Sequence, residues 1–372
     1  MRVTDVEMRD FRTYARAHAR LGAGLTVVHG PNGAGKSNLL EAVYFGCTGR
    51  SPRTRAEREL VRFGAGAARV TISLEDESRE HTLSVGYSAP APGQPAVKRM
   101  TCDGAPVERL LDVPVRPLIS VFEPDRLELV KGPPALRRAH LDQLVGALWP
   151  ARTETRRQYS RVLAQRNALL SRIRAGASPR SALAVWDREL AASALALRAD
   201  RARAVSLLAE PFRERAESLG LAGSLNLDYR PRSGAADERE FVAELAARLD
   251  SDLERGFSGH GPHRDELAIV RDGRELRVYG SQGEQRLALL ALLLAERGVL
   301  ASERGTTPLM LLDDVMSELD AGRRELLSSE LSSGGQSVIA TTDLGHVPGA
   351  SGASVTRIAI SPGTVLQEAA AA

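Results

Sequence analysis

Long hydrophobic runs are missing from this sequence. The longest, Leu287 to Ala295, covers nine residues, against the roughly 20 that a helix needs to cross a bilayer. The first residues, MRVTDVEMRDF, hold no apolar core of the kind a secretory signal carries. No membrane association is expected, and a cytoplasmic location is. Cysteine is nearly absent too: Cys47 and Cys102 stand alone in different contexts, which points to neither a disulfide framework nor a zinc cluster. Aromatic residues make up only 4%, so any binding mode that stacks bases on exposed rings has little to work with. The net charge of +3 is too small to argue for a polyanionic partner. Lysine is the sharpest shortage, since of 50 basic residues only Lys36, Lys98 and Lys131 are lysines.

What is present begins with one of those lysines. Gly30 to Ser37 reads GPNGAGKS and fits G-x-x-x-x-G-K-[ST] at every constrained position. The apolar run Leu25 to Val28 precedes it, and KSNLLEAVYF follows with Leu39, Leu40, Val43 and Tyr44 at helical spacing. Strand, loop and helix is the context a phosphate-binding loop requires. Gly30, Gly33 and Gly35 let the backbone curl, so that N–H groups from Gly30, Pro31, Asn32, Gly33, Ala34, Gly35, Lys36, Ser37 and Asn38 surround a triphosphate as far as each residue has one to give. Lys36 supplies a compact, mobile ammonium to the phosphates, in a chain that elsewhere uses arginine, and Ser37 a hydroxyl to Mg²⁺.

At 372 residues, with 43% hydrophobic and 26% charged, the chain has the composition of a globular protein with one large or two smaller cores. Strand patterns at Arg2 to Arg12, Ala67 to Leu74, His81 to Tyr87 and Val97 to Cys102 suggest a mixed sheet beside the nucleotide core, with a loop at Ala89 to Pro95. From Pro134 to about Leu253 the character changes to alanine, leucine and arginine at helical spacing. Breaks at Pro150, Gly176 to Pro179, Leu219 to Gly223 and Pro231 to Ala236 give four or five helices, with an extended piece at Ser224 to Tyr229. Strands return at Asp265 to Val270, with Asp272-Gly273 turning into Glu275 to Tyr279, and then at Pro308 to Leu312, Ser337 to Thr341 and Val355 to Ile360. LALLALLLA, at Leu287 to Ala295, is apolar all round and must be buried. Residues 368–372 read as a disordered tail. The expected division is 1–133, an inserted helical lobe over 134–254, and 255–372.

The apolar strand PLMLLDD, placed far after a phosphate loop, is the second half of a nucleoside triphosphate site. Asp313 holds Mg²⁺, directly or through water, and Asp314 stands where a base orients the attacking water. Ser281-Gln-Gly-Glu-Gln285 opens a helix a few tens of residues earlier, and Ser317-Glu-Leu-Asp320 follows the acidic strand. Ser281 alone reads as a helix cap. In this order the three segments resemble the signature, acidic strand and following loop of ABC-type ATPases. In that class an S-x-G-x-Q segment, here with Ser281 and Gly283, meets the γ-phosphate held by another subunit, and the aspartate of the following loop, here Asp320, lies close by.

DFRTY (Asp10 to Tyr14), GPNGAGKSN, LVKGPPALRRAHLD (Leu129 to Asp142), GPHRDEL (Gly261 to Leu267), YGSQGEQR (Tyr279 to Arg286) and LLDDVMSELD (Leu311 to Asp320) span nearly the whole chain. With these the chain resembles the RecF family of bacterial recombination and gap-repair ATPases, related to SMC heads. The resemblance implies an α/β fold, an ABC-type P-loop ATPase head with mixed sheets and an inserted, mainly helical lobe. It implies ATP and Mg²⁺, and an ATP-dependent homodimer on DNA at gaps, near single-strand to double-strand junctions. It also implies work with RecR, help in loading RecA, a part in replication maintenance and the SOS response, and Arg12 close to the nucleotide.

Two departures matter. Many ABC ATPases have glutamate where Asp314 stands, and the shorter side chain predicts slow turnover suited to a switch. The residue where that class places a histidine is Asp343, with His346 three residues on. His260-Gly-Pro-His263, with no cysteine nearby, reads as structural. For DNA the basic stretches are Ala151 to Arg174, where Arg152, Arg156, Arg157 and Arg161 are among seven arginines facing one acid, and Arg50 to Arg62, with Arg53 and Arg55. Solvated helix faces explain them equally well. Two rival readings are the ATPase subunit of a membrane transporter, which has no use for a basic helical lobe, and a small-molecule phosphotransferase, which has none for S-x-G-x-Q.

Overall fold

The computed structural model describes residues 1–76, 79–90, 95–332 and 334–367. The centre of the expected loop at Ala89 to Pro95, and the expected tail at 368–372, lie outside the described residues. In chain order the first elements are β1 (Arg2–Phe11), β2 (Tyr14–Arg20), β3 (Leu25–His29), α1 (Lys36–Thr48), β4 (Ala67–Glu75), β5 (Glu80–Ser88), β6 (Val97–Cys102), β7 (Ala105–Pro106) and β8 (Ile119–Phe122). The middle holds α2 (Glu128–Lys131), α3 (Pro134–Leu148), α4 (Thr153–Arg174), α5 (Leu183–Ser218), β9 (Leu225–Arg230), α6 (Glu238–Ala247), α7 (Leu249–Arg255), β10 (Glu266–Arg271), β11 (Arg274–Glu275), α8 (Leu276–Tyr279) and α9 (Gln282–Arg304). The chain closes with β12 (Leu309–Asp313), α10 (Ala321–Ser332), β13 (Ser337–Thr341), β14 (Thr356–Ser361) and β15 (Thr364–Gln367).

Two compact units result, Met1–Arg126 with Gly305–Ala372, and Leu127–Arg304. The first unit holds two sheets. One has the order β15-β14-β3-β13-β12-β8, parallel except for β15. Its central strands are buried on both faces, in keeping with sequences dominated by apolar and β-branched residues. The other is antiparallel, β2-β1-β4-β5-β6-β7, and alternates buried and exposed residues. Helix α1 packs against strands of both sheets, which is why even Glu41 and Thr48 on it are buried. Gly46 lets it approach β4, since a Cβ there would stand 2.4 Å from Ile72.

In the second unit, α5 runs 36 residues with α4 and α9 packed along it, and β11-β10-β9 form a small antiparallel sheet. The segment LALLALLLA on α9 is buried throughout. Two of the stretches that carry the family resemblance, LVKGPPALRRAHLD and GPHRDEL, meet inside this unit. Arg137 makes a bidentate pair with Glu266 at 2.8 and 3.0 Å, and Arg201 binds both Asp142 and Asp265, at 2.8 and 3.2 Å. His260 pairs with Glu244, while His263 joins the Tyr159 hydroxyl at 2.6 Å and the Ser258 carbonyl at 2.9 Å, the structural roles their spacing suggests.

Three expectations change. The first boundary falls at 126/127 rather than 133/134. The second falls at 304/305 rather than 254/255, because β10 pairs with β9 and α9 packs on α5, which joins 255–304 to the helical unit. The extended piece expected at Glu275 to Tyr279 is a strand only through Glu275. From Leu276 the chain turns helical, and the Gln285 carboxamide donates to the carbonyls of Leu276 and Gly280, so no ladder partner is needed there.

Candidate nucleotide site

The phosphate loop joins β3 to α1 in the first unit. Gly30 has φ 151°, and a Cβ on it would sit 2.2 Å from the Ile360 carbonyl of β14, so the sheet itself demands glycine there. Gly35, at φ 119°, is the N-terminal flank of α1, and a Cβ on it would strike the Tyr14 hydroxyl at 2.9 Å. Tyr14, buried, donates to the Gly35 carbonyl at 3.0 Å and holds the loop's exit. Lys36 is only 7% exposed. Its ammonium donates to the carbonyls of Gly30 and Pro31, at 2.8 and 3.0 Å, and so curls back over its own loop. Burial lowers its pKa, and Asp314 and Asp313 partly offset that shift. Pro31, Asn32 and Gly33 are exposed at the loop's crest, Ala34 is buried, and Asn38 donates to the Thr13 hydroxyl at 3.0 Å.

One strand, β13, separates β3 from β12, which brings the end of β12 beside the loop. There the Asp313 carboxylate is hydrogen-bonded to Ser37, and burial raises its pKa against the pull of Ser37, Arg53 and Lys36. Asp314 has the left-handed φ of 51°, with its N–H donated to Ala340 at 3.1 Å. Its Oδ1 is buried without a hydrogen-bond partner. Glu123, directly after β8, completes the cluster. It is 4% exposed, and burial, with Asp313 nearby, pushes its pKa up to about 7. Sequence reading missed it, because a lone acid after a short strand carries no signal until β8 pairs with β12.

These oxygens suit a hard divalent cation. Mg²⁺ usually keeps several waters and takes one or two protein ligands plus phosphate oxygens. Ser37 and Asp313, already within hydrogen-bond reach of each other, are such a pair. Among the described residues no group of three or more histidine, cysteine, aspartate or glutamate side chains is placed to hold a metal ion jointly.

Behind the loop lies an ionic brace. Glu41, buried on α1, accepts a bidentate pair from Arg12 at 2.7 and 2.8 Å, the Ser51 hydroxyl at 2.6 Å and Arg53 at 3.4 Å. Arg53 also donates to Asn38 at 3.1 Å. Both arginines therefore serve the underside of the phosphate-loop helix. Asp343 accepts from the Gly345 N–H at 2.8 Å, capping its own short turn, and His346 Nδ1 is buried without a hydrogen-bond partner. Asp320 caps α10, accepting from Arg323 N–H at 2.9 Å.

Ser281 and Gly283 belong to the second unit. Ser281 and Glu284 form a reciprocal capping box: the Glu284 carboxylate accepts from Ser281 N–H at 2.8 Å and the Ser281 hydroxyl from Glu284 N–H at 3.3 Å. Gly283 is exposed, and a Cβ on it would meet only the Ser281 hydroxyl at 4.0 Å. Nothing among the described residues requires glycine there. Val278 and Tyr279, just before it, are 63% and 66% exposed.

The arginines along α4 and just before it are largely engaged within their own unit. Arg152 pairs with Asp200, Arg156 with Asp142 at 3.0 Å, and Arg157 and Arg161 reach Glu154 at 3.8 and 3.6 Å. Arg166 is wholly buried against Asp187 and Asp252. Arg55 is exposed.

A phosphate loop at the end of β3, an acid-tipped β12 one strand away and an exposed Ser-x-Gly helix start define a P-loop ATPase head of the ABC and SMC kind. A family model described as the RecF/RecN/SMC N terminal domain matches residues 2–358. The DNA replication and repair protein RecF of Chloroflexus aurantiacus is 37% identical over 391 residues, covering 98% of this chain and 99% of the relative. That of Streptomyces avermitilis is 36% identical, with 98% and 99% covered. The chain belongs to the RecF family. Among solved structures, one described as the recombination mediator protein RecF-ATP in the RecFOR pathway is 27% identical, with a TM-score of 0.85 over 99% of this chain and 97% of that one. An SMC head bound to the C-winged helix domain of ScpA, 17% identical with a TM-score of 0.61 over 99% and 98%, shares the fold. No helix among the described residues is long and apolar enough to cross a membrane.

Proposed function

We propose that this chain is an ATP-operated clamp of recombinational gap repair and replication maintenance. Lys36, Ser37 and the N–H groups of the loop bind the phosphates of ATP, and Ser37 and Asp313 would hold Mg²⁺, which would supply positive charge against the phosphates. Asp314 Oδ1 accepts a hydrogen bond from the attacking water and orients it. Ser281 and Gly283 of a second copy, with Asp320 close by, complete the site, so that ATP joins two subunits around DNA at single-strand to double-strand junctions. Slow hydrolysis then opens the clamp. In this reading the clamp works with RecR, assists loading of RecA onto gaps and feeds the SOS response, all inside the cytoplasm. Among DNA contacts, Arg53 is better used under the phosphate loop, and Arg152, Arg156, Arg157 and Arg161 act only if their internal pairs yield.

The observation that carries this reading is Gly283. It stands at an exposed helix start, costs helix stability relative to alanine, and has open space around it in its own chain, as a residue kept for an approaching phosphate would. The test is light scattering with ATP and Mg²⁺. Wild type should dimerise, Ser281→Arg should bind ATP yet stay monomeric, and Lys36→Ala should fail to bind ATP tightly. Normal ATP-dependent dimerisation of the Ser281→Arg variant would overturn the shared site.

A further inference from the structure

The antiparallel sheet of the first unit turns one face towards α1, and its other face carries an unusual row. Cross-strand register places Arg16 opposite Arg9, Arg9 opposite Arg69, Arg69 opposite Gly86 and Gly86 opposite Arg99. Directly opposed residues share a face, so β2, β1, β4 and β6 line up four arginines, with a glycine between the third and the fourth. All four are exposed. None makes an ion pair or hydrogen bond to an acid among the described residues, unlike the paired Arg156 and Arg166 of α4. The next row holds His18, Glu7, Thr71, Ser84 and Thr101, three of them hydroxyl side chains. An open groove of about 500 Å³ runs between the rows, lined by Arg9, Arg16, Arg69, His18, Thr71 and Glu7.

Like charges set directly opposite one another destabilise a sheet, so the fold by itself gives no reason for this row. Gly86 adds a second oddity. A Cβ there would meet nothing closer than 3.9 Å, from the Ala68 carbonyl and Arg69 Nε. Glycine in a strand interior with no internal need marks a place where another backbone comes close.

We infer that this face binds the sugar-phosphate backbone of double-stranded DNA, with Arg16, Arg9, Arg69 and Arg99 as its phosphate contacts and Gly86 as the point of closest approach. The inference rests on the DNA-binding reading above and supplies its surface. Four inter-strand steps of about 4.8 Å make a row of roughly 19 Å. Over that length one strand of a duplex presents about five or six phosphates. Arginine and hydroxyl side chains are the usual donors to them. The two rows offer no phenylalanine, tyrosine or tryptophan for base stacking, which favours a duplex over a single strand.

The test uses the full chain with ATP and Mg²⁺, a fluorescent 30-base-pair duplex, and anisotropy titrations between 50 and 200 mM salt. In the triple variant Arg9→Gln, Arg69→Gln, Arg99→Gln, duplex affinity should fall roughly tenfold or more, and the slope of log K against log salt should flatten by about 2.7. Its melting temperature and ATP affinity should hold, which keeps misfolding apart from lost contacts. Gly86→Val should weaken duplex binding with no change in the salt slope. Wild-type affinity and slope in the triple variant would overturn this surface while leaving a DNA clamp intact, as would loss of binding to an acidic protein with duplex binding unchanged. Failure of the wild type to bind any duplex with ATP would instead remove the clamp reading itself.

Discussion

Glu123 makes the stability of the first unit depend on pH in a direction opposite to that of most paired carboxylates. Its side chain is buried beside Asp313, and its pKa is pushed from 4.5 to about 7. The folded unit therefore binds a proton that the unfolded chain has already released between about pH 4.5 and pH 7. Stability is highest below that window, falls as pH rises through it, and carries the full penalty above it. A shift of two and a half units corresponds to about 3 kcal/mol. Arg53 and Arg126, the cations that act on it, are already included in that balance. Glu123→Gln keeps the shape and removes the titration. At pH 5 the variant and the wild type should unfold at nearly the same urea concentration. At pH 8 the variant should be more stable by about 3 kcal/mol, or roughly 6–12 °C in melting temperature for a unit of this size. The measurement belongs in nucleotide-free buffer with a chelator, because a cation beside Asp313 would favour the ionised form. Parallel pH profiles for the two proteins, or a variant less stable at pH 8, would refute the reasoning.

Two further outcomes follow from single positions. Asp314→Asn should leave ATP binding intact and slow hydrolysis by roughly 10²–10⁴-fold, whereas Asp314→Glu, with its longer reach, should hydrolyse faster than wild type; phosphate release under saturating ATP checks both. Gly283→Ala should raise the melting temperature, by up to about 1 kcal/mol of helix propensity, and yet weaken ATP-dependent dimerisation in light scattering; unchanged dimerisation would show that the open space beside Ser281 is idle.

Much of this is legible in sequence because it is local or because parallel strands are buried on both faces. Leu25 to Val28, Pro308 to Leu312 and Ser337 to Thr341 are short segments rich in apolar and β-branched residues without a charge, and the phosphate loop is a single contiguous motif. What stays hidden depends on residues that only the fold brings together. Glu41 sits within a helix pattern as an ordinary acid until Arg12 and Arg53 close on it from the turn after β1 and from the loop after α1. The basic look of Ala151 to Arg174 misleads in the other direction, since its counter-charges, Asp142, Asp187, Asp200 and Asp252, come from elsewhere in the chain. The arginine row is invisible for the same reason: residues 9, 16, 69 and 99 become neighbours only through the register of five strands.

Three local irregularities divide the head into what serves its own fold and what awaits a second molecule. Gly30 is demanded from within, by a backbone carbonyl 2.2 Å from where its Cβ would stand. Gly283 is demanded by nothing in its own chain. Asp314 lies between them in kind. The sheet gives it an N–H partner in Ala340 but leaves it with a left-handed φ and a buried oxygen without a partner. An unsatisfied buried acceptor costs about 1–3 kcal/mol, and strain of this sort about 1–3 kcal/mol in sparsely populated regions. A fold selected for stability alone would place glycine or asparagine at such a turn. In the proposed clamp that free oxygen is filled during function, by a water in line with the γ-phosphate of the ATP held by Lys36 and Ser37.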